Sequence, residues 1–189
     1  MTNDELVFFR RQLSSCTNYL EFGAGYSTSL AVQEEKIKHI TTVESDPHFW
    51  HELVNFDKGI EDAINIQRLN PVLVNIGLTK AWGYPADDSS IENWPEYAKS
   101  PFAFKSDYDL VLIDGRFRIA CALHACINLP VDAKILIHDF FNRPYYKVLL
   151  LFLNEIHKVD TLGLFSIHEK NDKNLIKKAI SLYEYSPEY

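Results

Sequence analysis

Four acidic residues, Glu21, Glu44, Asp114 and Asp139, stand within or directly after short apolar runs of the chain. A carboxylate placed where a strand meets a turn is costly unless it is solvated or paired. Several at one edge of a sheet therefore suggest a polar ligand or a cation. The first lies in Glu21-Phe22-Gly23-Ala24-Gly25-Tyr26-Ser27-Thr28. Two glycines at this spacing allow a tight turn and close approach of a ligand to the backbone. Tyr26, Ser27 and Thr28 then open a helix, whose free N–H groups and positive dipole end favour polar or anionic groups. Glu44 follows about twenty residues later, where an acid accepts hydrogen bonds from both hydroxyls of a ribose. The plainer alternative is a pair of turn glycines and a solvent-facing Glu44.

Thr28 occupies the position where a dinucleotide fingerprint has its third glycine, which argues against NAD because that glycine lets helix and strand approach. Glu21 would repel a phosphate and suits a ligand with a cationic amine. Asp114 and Asp139 close two apolar runs, and two such acids suit magnesium, a hard cation that takes oxygen ligands. Otherwise Asp114 orders a ligand pocket and Asp139 caps the next helix. Of the residues after Asp139, only Asn142 could add a third oxygen ligand. No general base stands out. His138 is expected on the opposite sheet face by strand alternation, and His124 lies in an apolar helix. Arg116 and Arg118 are placed to hold a carboxylate or phosphate on a substrate, or to form surface ion pairs with Asp107 or Asp109.

These residues need a scaffold, and the chain repeats one pattern: an apolar run, a turn, an amphipathic stretch. Runs at 19–22, 39–43, 71–74, 109–113 and 134–137 are short and apolar, which suits strands covered on both faces. Ser45-Asp46-Pro47 and Asn142-Arg143-Pro144 offer helix starts. The expected fold is a single α/β domain over residues 1–189, with a doubly wound, mostly parallel, Rossmann-like sheet and helices on both faces. A helix is expected over 145–157, strands over 159–162 and 164–168 (an antiparallel one among them), and a terminal helix over 172–183. The segment 119–128 is apolar on nearly every side, so its outer face is covered by another helix or by a second subunit in a homodimer. Gly77 to Asp107 is a long connection rich in aromatics. It reads either as a surface excursion pinned by them or as a lid or substrate wall carrying Trp82 and Tyr84. Ser89-x-x-Glu92 has capping-box spacing, with Pro95 limiting any helix to a turn or two.

The chain has 189 residues, 47% hydrophobic and 24% charged, which excludes disordered and fibrous classes. Its 19 basic and 26 acidic residues leave a net charge of −7, so nucleic acid is not an expected partner. Three cysteines without Cys-x-x-Cys spacing point to reduced, packed thiols. With an acidic start and its longest apolar run only Val148 to Leu153, no membrane segment is expected and a cytoplasmic location is.

The motif Glu21-x-Gly23-x-Gly25-x-Ser27-Thr28, Glu44, and Asp109-Leu110-Val111-Leu112-Ile113-Asp114-Gly115 together resemble the class I, Rossmann-like S-adenosylmethionine-dependent methyltransferases. Asp114-Gly115-Arg116-Phe117-Arg118, Ile137-His138-Asp139-Phe140, and Ile76-Gly77 with Trp82-Gly83-Tyr84-Pro85 are similar to small methyltransferase-like proteins of that superfamily. The resemblance implies S-adenosylmethionine as cofactor. Gly23 and Gly25 would contact its methionyl part, Glu21 its amino group and Glu44 its ribose; Asn75 and Ile76 would lie beside its adenine. It also implies methyl transfer to a small-molecule acceptor, oxygen favoured, with Asp114 and Asp139 catalytic and, as in some members, holding magnesium. A nucleotide-linked oxidoreductase and a catalytically inactive binding protein are the alternatives.

Overall fold

A computed structural model describes residues 1–188. Seven strands form one sheet: β1 (Asn18–Phe22), β2 (His39–Glu44), β3 (Leu69–Leu73), β4 (Leu110–Ile113), β5 (Lys134–Ile137), β6 (Leu153–Val159) and β7 (Leu162–Ile167). Their spatial order is 3-2-1-4-5-7-6. β1 to β5 pair in parallel, with Tyr19 opposite Leu110 and Ile40, and β7 runs antiparallel between β5 and β6. Pro71, which cannot donate to a ladder, sits in β3 at the sheet edge, where strand prolines are tolerated.

Alternation sends each strand's side chains to two apolar layers. Leu20, Phe22, Val111, Ile113, Ile135 and Ile137 face one layer, covered by α5 (Trp94–Lys99), α6 (Arg118–Asn128) and α7 (Lys173–Tyr183). Tyr19, Leu110, Leu112 and Leu136 face the other, covered by α1 (Asn3–Leu13), α2 (Tyr26–Gln33), α3 (Pro47–Phe56) and α4 (Lys58–Asn65). This is the doubly wound arrangement expected. α3 starts as read from the sequence: Asp46 accepts from the backbone N–H groups of His48 and Phe49, and Pro47 occupies the first turn. The all-apolar α6 is covered within the chain, by α5 and α7.

Three expectations change. The helix over 145–157 is a 3-10 helix, Pro144–Leu151, followed directly by β6. Tyr146 and Leu149 turn inward on the short helix, and the chain then completes the sheet edge beside β7, so pairing overrides a helical apolar spacing. The strand over 159–162 is instead the tight turn between β6 and β7, with Asp160 at φ 46°. In the 77–107 connection the helix α5 keeps to the turn or two expected, but Pro95 opens it in its first turn, where a proline's missing N–H costs nothing, instead of ending a helix begun at Ser89. That connection is pinned by its aromatics. Trp94 Nε1 donates to the Ile76 carbonyl at 3.0 Å, Tyr97 and Trp94 pack on Phe117, and the Tyr108 hydroxyl meets Thr41 Oγ1. Among the described residues no helix is long and apolar enough to cross a membrane.

Candidate functional site

The strand order reverses between β1 and β4, and in open α/β sheets ligands bind beyond the carboxyl ends of the strands at that point. The loops leaving these two strands touch through glycines. Gly23 has φ +92°, and a Cβ there would stand 2.7 Å from Gly115 Cα. A Cβ on Gly115 would stand 2.1 Å from the Tyr97 hydroxyl and 2.9 Å from the Gly23 nitrogen. Only paired glycines allow this approach. Gly25 differs: a Cβ there would meet nothing within 4 Å, so the loop has an open side.

Glu21 is fully buried and serves as the pin of this loop. Its carboxylate accepts from the hydroxyls of Tyr19 (3.1 Å), Ser27 (2.7 Å), Thr28 (2.5 Å) and Thr42 (2.9 Å). The four hydroxyls occupy the acceptor sites that a cofactor amine would need, which corrects the ligand-facing position expected from the sequence. Burial pushes this carboxyl up to about 7, against the pull of the hydroxyls. Thr28, standing where a dinucleotide site has glycine, accepts from the Gly25 N–H at 3.0 Å and ties loop to helix. Tyr26 is exposed, with its hydroxyl 3.4 Å from Arg10.

Glu44 ends β2 beside the same loop. One carboxylate oxygen accepts from the N–H groups of Ser45 and Asp46 at 2.6 and 2.9 Å, and the other from the Ala24 N–H at 3.1 Å. Burial raises its pKa, opposed by these backbone donors. Next to it, a cleft of ≈ 800 Å³ is lined by Ser45, Asp46, Leu73, Val74, Asn75 and Gly77, among others. Asn75 spends its side-chain oxygen on the Gly77 N–H at 3.0 Å. Ile76 is fully buried in the core, so its side chain does not line the cleft as the adenine contact expected of it would require. A second hollow of ≈ 670 Å³, at the amino ends of the parallel strands between Val131, Asn154, His168 and Leu175, carries none of these residues.

At the ends of β4 and β5 the acids are paired. His138 lies between two carboxylates, with Nδ1 2.9 Å from Asp114 and Nε2 3.4 Å from Glu5 of α1. Its contact with Glu5 puts it on the α1 side of the sheet, opposite Ile137, as strand alternation predicts, and there it meets Asp114. Burial pulls its pKa down, but the Asp114 hydrogen bond and the charges of Asp114 and Asp139 outweigh it and leave it raised. Arg118 bridges Asp114 (3.2 Å) and Asp139 (3.5 Å) and donates to the carbonyls of Gly115, His138 and Asp114. Asp139, at φ +62°, also holds Arg143 at 2.9 Å and Asn142 at 3.2 Å. Despite burial, His138 and Arg118 keep its carboxyl below the usual range.

Two carboxylates already neutralised by two arginines and a histidine do not suit a divalent cation, and Asn142 turns its amide N–H₂ toward Asp139. Among the described residues no group of three or more His, Cys, Asp or Glu side chains forms a metal cluster. Arg118 is a brace of the site and has no free edge for a substrate. Neither arginine pairs with the acids suggested by the sequence: Asp109 caps the backbone of Thr17 and Asn18, and Asp107 pairs with Lys105 at 2.7 Å. Arg116 instead lies over the Tyr84 ring, 4.1 Å from its centroid. Trp82 is 88% exposed, at φ 65°. His124 is half-buried in α6, and this burial lowers its pKa to about 4.

Two residues escaped the sequence reading. Glu5, 133 positions before His138 in the chain and connected to it only by folding, gave no signal. Tyr97, whose hydroxyl abuts Gly115 and lies 3.5 Å from the Arg116 nitrogen, sat unmarked among the aromatics of the long connection.

No protein-family model matches the chain, and no curated protein sequence does. Solved structures do. A methyltransferase-like protein from Silicibacter pomeroyi DSS-3 is 26% identical over 99% of this chain and 96% of its own, with a TM-score of 0.85. An O-methyltransferase from Bacillus cereus in complex with SAH is 13% identical over 89% of this chain and 82% of its own, TM-score 0.57. The N-methyltransferase NodS from Bradyrhizobium japonicum WM9, in complex with S-adenosyl-L-homocysteine, is 12% identical over 87% of each chain, TM-score 0.53. By its strand order, its paired glycine loops and a likeness that runs nearly end to end, the chain has the class I, Rossmann-like fold of the S-adenosylmethionine-dependent methyltransferases.

Proposed function

We propose that the protein is an S-adenosylmethionine-dependent methyltransferase acting on a small-molecule acceptor, with oxygen the atom methylated. The observation that carries this reading is Glu44, which holds the Ala24 N–H of the glycine loop on one side and the N–H groups of Ser45 and Asp46, at the wall of the ≈ 800 Å³ cleft, on the other. When bound, the cofactor supplies a methyl group activated on a sulfonium. Glu44 would accept from the ribose hydroxyls, with Ser45, Asp46 and Asn75 forming the wall around the base. The loop 23–25 and the first N–H groups of α2 would meet the methionyl end, a contact that Glu21 serves by fixing Ser27 and Thr28. Asp114 acts through backbone and position, since its side chain is engaged by His138 and Arg118. The strand-end carboxylates Glu21, Glu44, Asp114 and Asp139 are all engaged by other groups, so none of them is free to act as a general base. An acceptor hydroxyl acidic enough to lose its proton to water fits this site, because transfer from a sulfonium asks chiefly for in-line placement.

A second reading, cofactor binding without turnover, draws on the same pairing of the acids. A dinucleotide is disfavoured by Thr28, whose buried hydroxyl closes the place of the third glycine. Calorimetric titration with S-adenosylhomocysteine and with NADH tests the assignment. S-adenosylhomocysteine is expected to bind, and Glu44→Ala to weaken it by about 1–3 kcal/mol, roughly 5- to 150-fold, from lost charged hydrogen bonds. Binding of NADH alone, or an affinity untouched by Glu44→Ala, overturns it.

A further inference from the structure

Arg116 is the unexplained charge of this molecule. Its side chain is only 7% exposed, and its Nε is buried with no hydrogen-bond partner. Among the described residues no carboxylate lies within ion-pair distance of it, and Asp114, two positions before it in the chain, is engaged by His138 and Arg118. With His138 protonated, Arg118, Arg143 and His138 already balance Asp114, Asp139 and Glu5, so Arg116 is a cation over, in a chain whose net charge is −7. The guanidinium carbon lies over the Tyr84 ring, 4.1 Å from its centroid, a contact with the ring face that uses none of its N–H donors. A second group is orphaned in the same region. The Tyr146 hydroxyl is fully buried without a partner, within the electrostatic reach of Arg116, Arg118 and Arg143. A buried donor left unsatisfied is costly, a charged one more so, and such groups mark an absent acceptor.

We infer that Arg116, stacked on Tyr84 and supported by the Tyr146 hydroxyl, is the counter-ion for an oxyanion group, carboxylate or phosphate, on the methyl acceptor. The Nε edge of a guanidinium presents parallel N–H bonds that match two oxygens of one such group. This assignment rests on the methyltransferase reading for the word acceptor, while the anion site itself stands on the orphaned donors alone. Arg118, which the sequence pairs with it, has no part in it.

The test titrates the wild-type protein with benzoate, acetate and inorganic phosphate, by calorimetry and amide chemical shifts, with and without saturating S-adenosylhomocysteine. Saturable binding is expected for at least one probe in both conditions, weakened at least tenfold in Arg116→Gln and less in Arg116→Lys, with S-adenosylhomocysteine affinity unchanged in both variants. A preference for benzoate or for phosphate identifies the oxyanion. Wild-type titration keeps the test alive if the variants misfold, since absence of saturable binding to all three probes overturns the inference. So does competition between the probes and S-adenosylhomocysteine together with a tenfold loss of its affinity in Arg116→Gln, which would give Arg116 to the cofactor's own carboxylate. Failure of S-adenosylhomocysteine to bind while benzoate or phosphate binds removes the proposed function and leaves an anion site.

Discussion

Replacing Glu21 by glutamine should remove the pH dependence that this one residue imposes on stability. The carboxyl is completely enclosed, and burial raises its pKa from 4.5 to about 7 in spite of four hydroxyl donors. A folded-state pKa above the unfolded one means that the group's contribution is whole below pH 4.5 and is lost as pH rises through 7. At about 1.4 kcal/mol per pH unit, the shift from 4.5 to about 7 amounts to about 3 kcal/mol, of which about 2–3 kcal/mol is lost between pH 5 and 8. Glutamine has the same shape, and its amide can still face hydroxyls that rotate to accept. Any mismatch it introduces is constant with pH and leaves the slope untouched. Urea unfolding of both proteins at half-unit steps from pH 5 to 8 isolates the effect, because every other titration cancels in the difference. The variant is expected to gain on the wild type by about 2–3 kcal/mol across that range. A flat difference refutes the claim that burial dominates. A difference of opposite sign shows that the four hydroxyls hold the carboxylate ionised.

Three further outcomes are expected. Gly115→Ala places a methyl group 2.1 Å from the Tyr97 hydroxyl, so overpacking should lower stability by about 3 kcal/mol in urea unfolding and weaken S-adenosylhomocysteine binding through the displaced Gly23 loop. His138→Gln removes a raised-pKa group whose contribution is present below its ordinary pKa of 6.5 and fades as pH rises through the folded value. The variant should therefore lose about 1–3 kcal/mol at pH 6 and distinctly less at pH 9, again by denaturant titration. Removing divalent cations with a chelator should leave both S-adenosylhomocysteine affinity and any methyl transfer unchanged, since Arg118, Arg143 and His138 already neutralise Asp114 and Asp139; activity restored only by magnesium would contradict those pairings.

Local rules carried the scaffold far. Runs such as Leu110–Ile113, too short for a helix and apolar on both faces, can settle only in the middle of a covered sheet, and Asp46-Pro47 can only begin a helix. The glycine pair and Glu44 were visible for the same reason: a backbone that must turn sharply, and an acid at a fixed distance along the chain, are written in residue type and spacing. What spacing cannot express is where a side chain finds its partner. Glu21 and Glu44 look alike in the sequence, yet four hydroxyls from β1, β2 and α2 enclose the first while the second borders a cleft. Arg116 and Arg118 are two positions apart and were read as a pair, but a left-handed Phe117 between them sends one into a brace of carboxylates and the other onto Tyr84. Electrostatic pairing depends on distances of a few ångströms between segments more than a hundred residues apart, as Glu5 and His138 show, and only the folded chain sets those distances. The same holds for β6, whose apolar spacing suited a helix until the open edge beside β7 supplied the hydrogen bonds of a strand.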